Sequence, residues 1–229
     1  MVSLRSAQEL IKLIALFLGY LLAITPAGWF RAWVAKQYGD DTGEQLGLLT
    51  LNPFAHISFM GLLFLFLPFF RFGWGKEVPI DPTVFEGKHR RLKYAIALFS
   101  NTFAHWVTAT VALIIVIALL GPDTRLIPEG AISSHTIISS LSIAYIHVLA
   151  ICIYLSLLLA VITFLINGIT FFITVHKPEL LMTPMLGWYY IFAYFILALL
   201  LGGDLWHTLM QASEYVGRAI AGWLGFGSA

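Results

Sequence analysis

Apolar residues along this chain do not alternate with polar ones at the strand period, and they form no narrow helical stripe. They run together. The runs lie at about Leu10–Phe30, Ile57–Phe70, Tyr94–Leu120, Ile137–Phe172 and Leu180–Leu201, separated by short polar stretches. A helix needs about 20 apolar residues to cross a bilayer, and four of the runs reach that length. Ile57–Phe70 is shorter and carries Pro68, so it reads as a thin crossing or a re-entrant segment. Ile137–Phe172 would measure about 54 Å as one helix, well beyond a ~30 Å hydrocarbon core. It is expected to tilt, or to break near Asn167-Gly168. After Gly202-Gly203 the pattern changes. Leu205, Leu209, Val216, Ile220 and Trp223 recur near helical spacing, with Asp204, Gln211, Glu214 and Arg218 between them. That spacing predicts an amphipathic helix lying on the membrane surface, with a frayed tail as the alternative. The expected organisation is a transmembrane domain over 1–203 and an interfacial helix over 204–229.

Composition agrees with this pattern. Of 229 residues, 59% are hydrophobic and 11% charged, and the mean hydropathy is +0.87. Soluble domains carry roughly 25% charged residues. The fold class is therefore an all-α polytopic membrane protein, with about five transmembrane or re-entrant helices and little mass outside the bilayer. The formal charge of +1 gives no field that would gather nucleic acid. The single cysteine, Cys152, sits inside an apolar run and can form no internal disulfide. With five crossings, the lysine and arginine distribution puts the N-terminus and the Arg71–Lys93 loop on the cytoplasmic side. Membrane lipids and other integral membrane subunits are the expected partners.

The segment Ala27 to Pro82 is more specific than any other. It contains Ala32-Trp33-Val34-Ala35-Lys36-Gln37-Tyr38-Gly39-Asp40, then Gly47-Leu48-Leu49-Thr50-Leu51-Asn52-Pro53-Phe54-Ala55-His56-Ile57. Phe72-Gly73-Trp74-Gly75-Lys76-Glu77-Val78-Pro79-Ile80-Asp81-Pro82 follows. Over about residues 25–86 this resembles the compact bacterial branch of the site-2 protease family, the intramembrane zinc metalloproteases. In that family an HExxH helix precedes an A-x-V-A-x-x-x-G-D-like stretch. A G-R-L-T-L-N-P-x-x-H-I-D loop and a G-W-A-K-P-V-P-like loop come next. The resemblance implies a location in the bacterial inner membrane, with several crossings.

The departures bear on activity. Aligned on the downstream motif, Ala27-Gly28-Trp29-Phe30-Arg31 stands where HExxH belongs. HExxH supplies two zinc-ligating histidines one helical turn apart, with glutamate as general base. Ala27 and Arg31 hold the ligand positions here, and neither alanine nor an always-protonated guanidinium ligates zinc. Gly28 replaces the base. The Asn-Pro loop ends Ile57-Ser58 where the family has Ile-Asp. The family's late aspartate ligand has no counterpart near Asn167–Thr174, and residues 92–122 and 131–178 contain no carboxylate. The sequence therefore predicts a pseudoprotease that needs no metal or cofactor.

Other residues have alternative roles. His56 either locks the Asn52-Pro53 turn through a side-chain hydrogen bond or makes a functional contact. Arg31 either fills the old metal site, pairing with a carboxylate or lipid phosphate, or snorkels from the end of its span. The Ala27–Gly28 face is expected to be closed by direct helix packing, without a water-filled cavity. Trp29, Trp33 and Trp74 read as interfacial anchors, and the charges in Gly39–Glu44 as a solvated loop. Asn101, His105, His147 and Asn167 are candidates for polar contacts inside the membrane. Asn101 and His105 share one helix face, and a face through Ser140, His147 and Tyr154 is the expected partner. A three-histidine zinc site, or a haem held by His105 and His147, are the alternatives for these residues. Lys88, Arg90, Arg91 and Lys93 either attract anionic lipid or only set topology.

Three functions compete at this point. The first is an inactive scaffold or adaptor subunit of a bacterial membrane complex. The second is a lipid-, quinone- or haem-binding subunit of an electron-transfer assembly. The third is an intramembrane zinc protease with non-standard ligands.

Overall fold

The computed structural model describes residues 4–67, 72–120 and 137–176. Within them five helices form. They are α1 (Leu4–Gln37), α2 (Thr42–Gln45), α3 (Phe59–Phe66), α4 (Arg90–Leu120) and α5 (Ile137–His176), with a 3₁₀ turn at Pro53–His56. Among the described residues there is no strand, only an isolated bridge between Ile57 and Gly75. Three helices are long and apolar enough to cross a membrane, over Leu10–Gln37, Arg90–Leu119 and Tyr145–His176. The apolar run at 180–201 and the expected amphipathic helix at 204–229 lie outside the described residues.

α1, α4 and α5 each pack on the other two. Their shared core joins Tyr20, Ala23 and Ile24 of α1 to Ala109 and Leu113 of α4 and to Leu155, Leu159 and Ile162 of α5. Pro26 lies inside α1 and has no N–H for the Leu22 carbonyl. In the residue just before it, Thr25 Oγ1 donates to the Leu21 carbonyl at 2.6 Å.

Among the described residues, the segment between α1 and α4 holds no helix long enough to cross a bilayer. α3 has eight residues, about 12 Å of helix, less than half of a ~30 Å core. The chain then returns to where α3 began. Lys76 N donates to the His56 carbonyl at 2.6 Å. A Cβ on Gly61 would also lie 2.8 Å from Trp74 N, so only glycine allows these two backbones to meet. Asp81 N donates to Asp40 Oδ2 at 2.9 Å, which places residue 81 beside the end of α1. The foot of α4 therefore lies at the same end of the bundle as Lys36, opposite Lys12. This corrects the orientation read from five crossings, which put the N-terminus and the Arg71–Lys93 loop on one side.

Three further expectations change. α5 is continuous through Asn167-Gly168, because the Asn167 side chain is engaged by α4 rather than by its own backbone. Trp74 is buried and packs against Phe64 and Phe72, and its carbonyl accepts from Tyr20 at 3.0 Å. It is a core residue, not an interfacial anchor. Asp40 is likewise buried, accepting from Thr42 N at 3.0 Å as well as from Asp81 N. It ties the loop together instead of being solvated.

Candidate functional site

The Asn52–His56 turn is built by its own side chains. Asn52 Oδ1 accepts from Phe54 N at 3.1 Å, and Pro53 opens the 3₁₀ turn with its φ already set. His56 Nε2 lies 2.7 Å from the Thr50 carbonyl. A carbonyl only accepts, so Nε2 carries the proton, and in the neutral ring Nδ1 is left with a lone pair. Nδ1 is buried and has no protein partner. It faces Gly28 of α1. A Cβ placed on Gly28 would fall 2.9 Å from His56 Cε1 and closer still to Nδ1. The imidazole therefore occupies the space a side chain at position 28 would need. Burial pushes the His56 pKa below its usual 6.5; the Thr50 contact opposes this and nearby Lys76 adds to it.

One turn further along α1, Arg31 is buried rather than snorkelling. Its Nη1 contacts Glu77 Oε1 at 2.6 Å, and the two side chains are 5% and 33% exposed. Nη1 also donates to Asn167 Oδ1 at 3.5 Å. Asn167 Nδ2 in turn donates to Asn101 Oδ1 at 2.9 Å and to Thr102 Oγ1 at 3.2 Å. Thr163 donates to the Leu159 carbonyl at 2.7 Å, so its oxygen accepts from Thr102 at 2.9 Å. A directed hydrogen-bond chain thus runs from the loop, through α1, into the α4/α5 interface.

Beside it lies a cavity of about 30 Å³, whose lining includes Gly28, Arg31, Glu77, Asn101, His105 and Thr163. Arg31 Nε and His105 Nδ1 are buried there without a protein partner. A water needs about 10–15 Å³ of such space, so one or two waters fit. The Ala27–Gly28 face is thus closed by the His56 ring, not by helix packing alone, and the space beside it is polar. That corrects the expected dry closure.

The residues present do not suit zinc. Ala27 offers no ligand atom, and the Glu77 carboxylate in the cavity lining is already paired with the Arg31 guanidinium, which cannot ligate a metal. Among the described residues, no three His, Cys, Asp or Glu side chains are grouped to hold a metal ion. Nor are His105 and His147 brought together. Tyr94 meets Thr174, and Asn101 meets Asn167. This antiparallel register places His147 about 20 Å along the bundle from His105. The partner of Asn101 is Asn167, not the Ser140–His147–Tyr154 face. Gly73 lies against Leu65 and Gly61 behind the site, and Pro79 belongs to the stretch that leads from Glu77 to Asp81. Glu77 was not identified from the sequence. The available signal was the lone carboxylate between Lys76 and Val78, in a motif where the proteases it resembles have proline.

Two outcomes follow. Glu77→Gln, which leaves Arg31 buried and unpaired, should destabilise the protein by about 3 kcal/mol, as for a broken buried pair. Arg31→Leu/Glu77→Gln should recover most of that loss, and thermal unfolding of the four proteins of the cycle in detergent measures the coupling. A near-zero coupling energy would mean that the pair contributes nothing. The second outcome concerns pH. The unfolded chain protonates His56 near 6.5 while the folded chain resists, so stability is complete above that value and is lost as pH falls below it. His56→Gln should be less stable at neutral pH and should show a flatter profile between about pH 5 and 8. Parallel profiles for the two proteins would rule out a His56 contribution.

Comparison with known proteins fits the motif reading in part. No family model matches the chain, and no solved structure does. The chain is similar to a Bacillus subtilis (strain 168) protein named "Putative zinc metalloprotease YwhC", with 27% identity over 89 residues. That stretch is 39% of this chain and 39% of the relative.

Proposed function

We propose that this membrane protein is a catalytically inactive relative of the site-2 proteases, acting as a scaffold or adaptor subunit in a bacterial inner-membrane complex. The observation that carries the reading is the seat of His56 on Gly28. The motif alignment calls for the general-base glutamate at position 28, and the imidazole leaves no room there for even a Cβ. Arg31, at the second ligand position, is bound to Glu77 and Asn167. Fold and site can separate in this way, because activity belongs to the site. The similarity to a protein named as a zinc metalloprotease supports the ancestry. A scaffold role suits a chain with three helices long and apolar enough to cross a membrane, which can pack against partner spans.

The test is zinc content and proteolysis of the purified full chain, beside a variant carrying Ala27→His, Gly28→Glu and Arg31→His. Both proteins should hold far less than one zinc per chain and cleave no transmembrane peptide. In the variant, His56 and Glu77 still occupy the site and no late aspartate is supplied. One zinc per chain in the unmodified protein, together with cleavage that a chelator abolishes, would overturn the reading.

A further inference from the structure

α4 enters its membrane span from a cluster of positive charge. Lys88, Arg90 and Arg91 are exposed, and Lys93 is half-buried, its Nζ donating to the Glu86 carbonyl at 3.2 Å. Among the described residues, Arg31 pairs with Glu77 and Lys36 with Glu44, and no ion pair involves this cluster. Lys88, His89, Arg90 and Arg91 line a hollow of about 430 Å³, together with Gly87 and Leu92. Leu92 is also the first residue of an exposed apolar face. Leu92, Ile96, Phe103 and Val107 are 58%, 42%, 61% and 43% exposed. At 100° per residue, these four positions fall within about 60° of one another and extend about 22 Å along the helix.

A hollow of uncompensated positive charge thus opens onto an apolar track at the point where the helix enters the bilayer. We propose that this is a binding site for an anionic phospholipid. The phosphate-bearing headgroup lies among Lys88, Arg90 and Arg91, and an acyl chain follows Leu92, Ile96 and Phe103. Guanidinium groups suit phosphate because their planar N–H forks engage two oxygens at once. Free phosphate would use the charges alone, whereas a phospholipid uses both the charges and the track. A cluster that only set topology would need neither the hollow nor the track. The site shares no lining residue with the cavity beside His56 and Arg31, and it stands whether or not the chain proves to be a protease.

The test is lipid retention by the purified full chain, read by native mass spectrometry after exposure to phosphatidylglycerol or to phosphatidylcholine. Phosphatidylglycerol should be retained preferentially. Lys88→Gln/Arg90→Gln/Arg91→Gln should weaken that retention at least about tenfold and leave thermal stability in phosphatidylcholine unchanged. Leu92→Asn/Ile96→Asn should weaken it without changing its salt dependence. In case the triple variant fails to fold, the unmodified protein supplies a second readout, since retention should fall as salt is raised. Equal retention of the two lipids, or retention insensitive to salt, would overturn the proposal. Full displacement of phosphatidylglycerol by millimolar inorganic phosphate would show an anion site instead, and would overturn the lipid assignment.

Discussion

The close approach of His56 to Gly28 organises the end of the bundle around it. The Nδ1 edge of the imidazole closes the surface of α1, and Nε2 holds the Thr50 carbonyl. The backbone carbonyl of the same residue receives Lys76 N, which brings back the loop that carries Glu77. A larger residue at position 28 would push the ring away and with it the turn and the returning loop. The space a side chain at position 28 would use is therefore part of the packing. The contact is steric, and its strength comes from the density of the interior, where a neighbour cannot retreat without opening a void.

The second constraint is the burial of Arg31. A guanidinium inside a bundle of apolar helices is tolerated only when it is neutralised and hydrogen-bonded. Glu77 supplies the charge and Asn167 the second acceptor. Because Asn167 also donates to Asn101 and Thr102, the arginine fixes the register of α5 against α4 at that level. The unpartnered Arg31 Nε and His105 Nδ1 account for the small polar cavity left beside it, since such atoms favour water over a dry void.

Much of the fold was legible in the apolar runs, because a helix in lipid must satisfy its own backbone and so declares itself by length and apolarity. Both ends of α4 and the reach of α5 were close to expectation. The loop was harder to read. Nothing local tells a short crossing from a segment that dips and returns; Gly61 against Trp74 and Asp81 against Asp40 decide it, and both are long-range contacts. The same holds in the site. The absence of an HExxH motif at Ala27–Arg31 was legible in the sequence, but that His56 fills the space beside Gly28 depends on how the turn folds back on α1. Glu77 was missed for the same reason, as its partner lies on another element. Asn167 suggested a helix break because asparagine beside glycine competes with helix in isolation. A cross-helix amide pair removes that competition.

The central claim is that His56 is a buried, neutral packing residue whose free Nδ1 faces Gly28 and binds no metal. Nitrogen-15 NMR of the histidine-labelled full chain in lipid tests it most directly, with His56→Gln used for assignment. The expected spectrum shows His56 neutral at pH 7, protonated on Nε2, with an unprotonated Nδ1 unaffected by added zinc. A zinc-dependent shift of Nδ1, or a proton found there instead of on Nε2, would contradict the account.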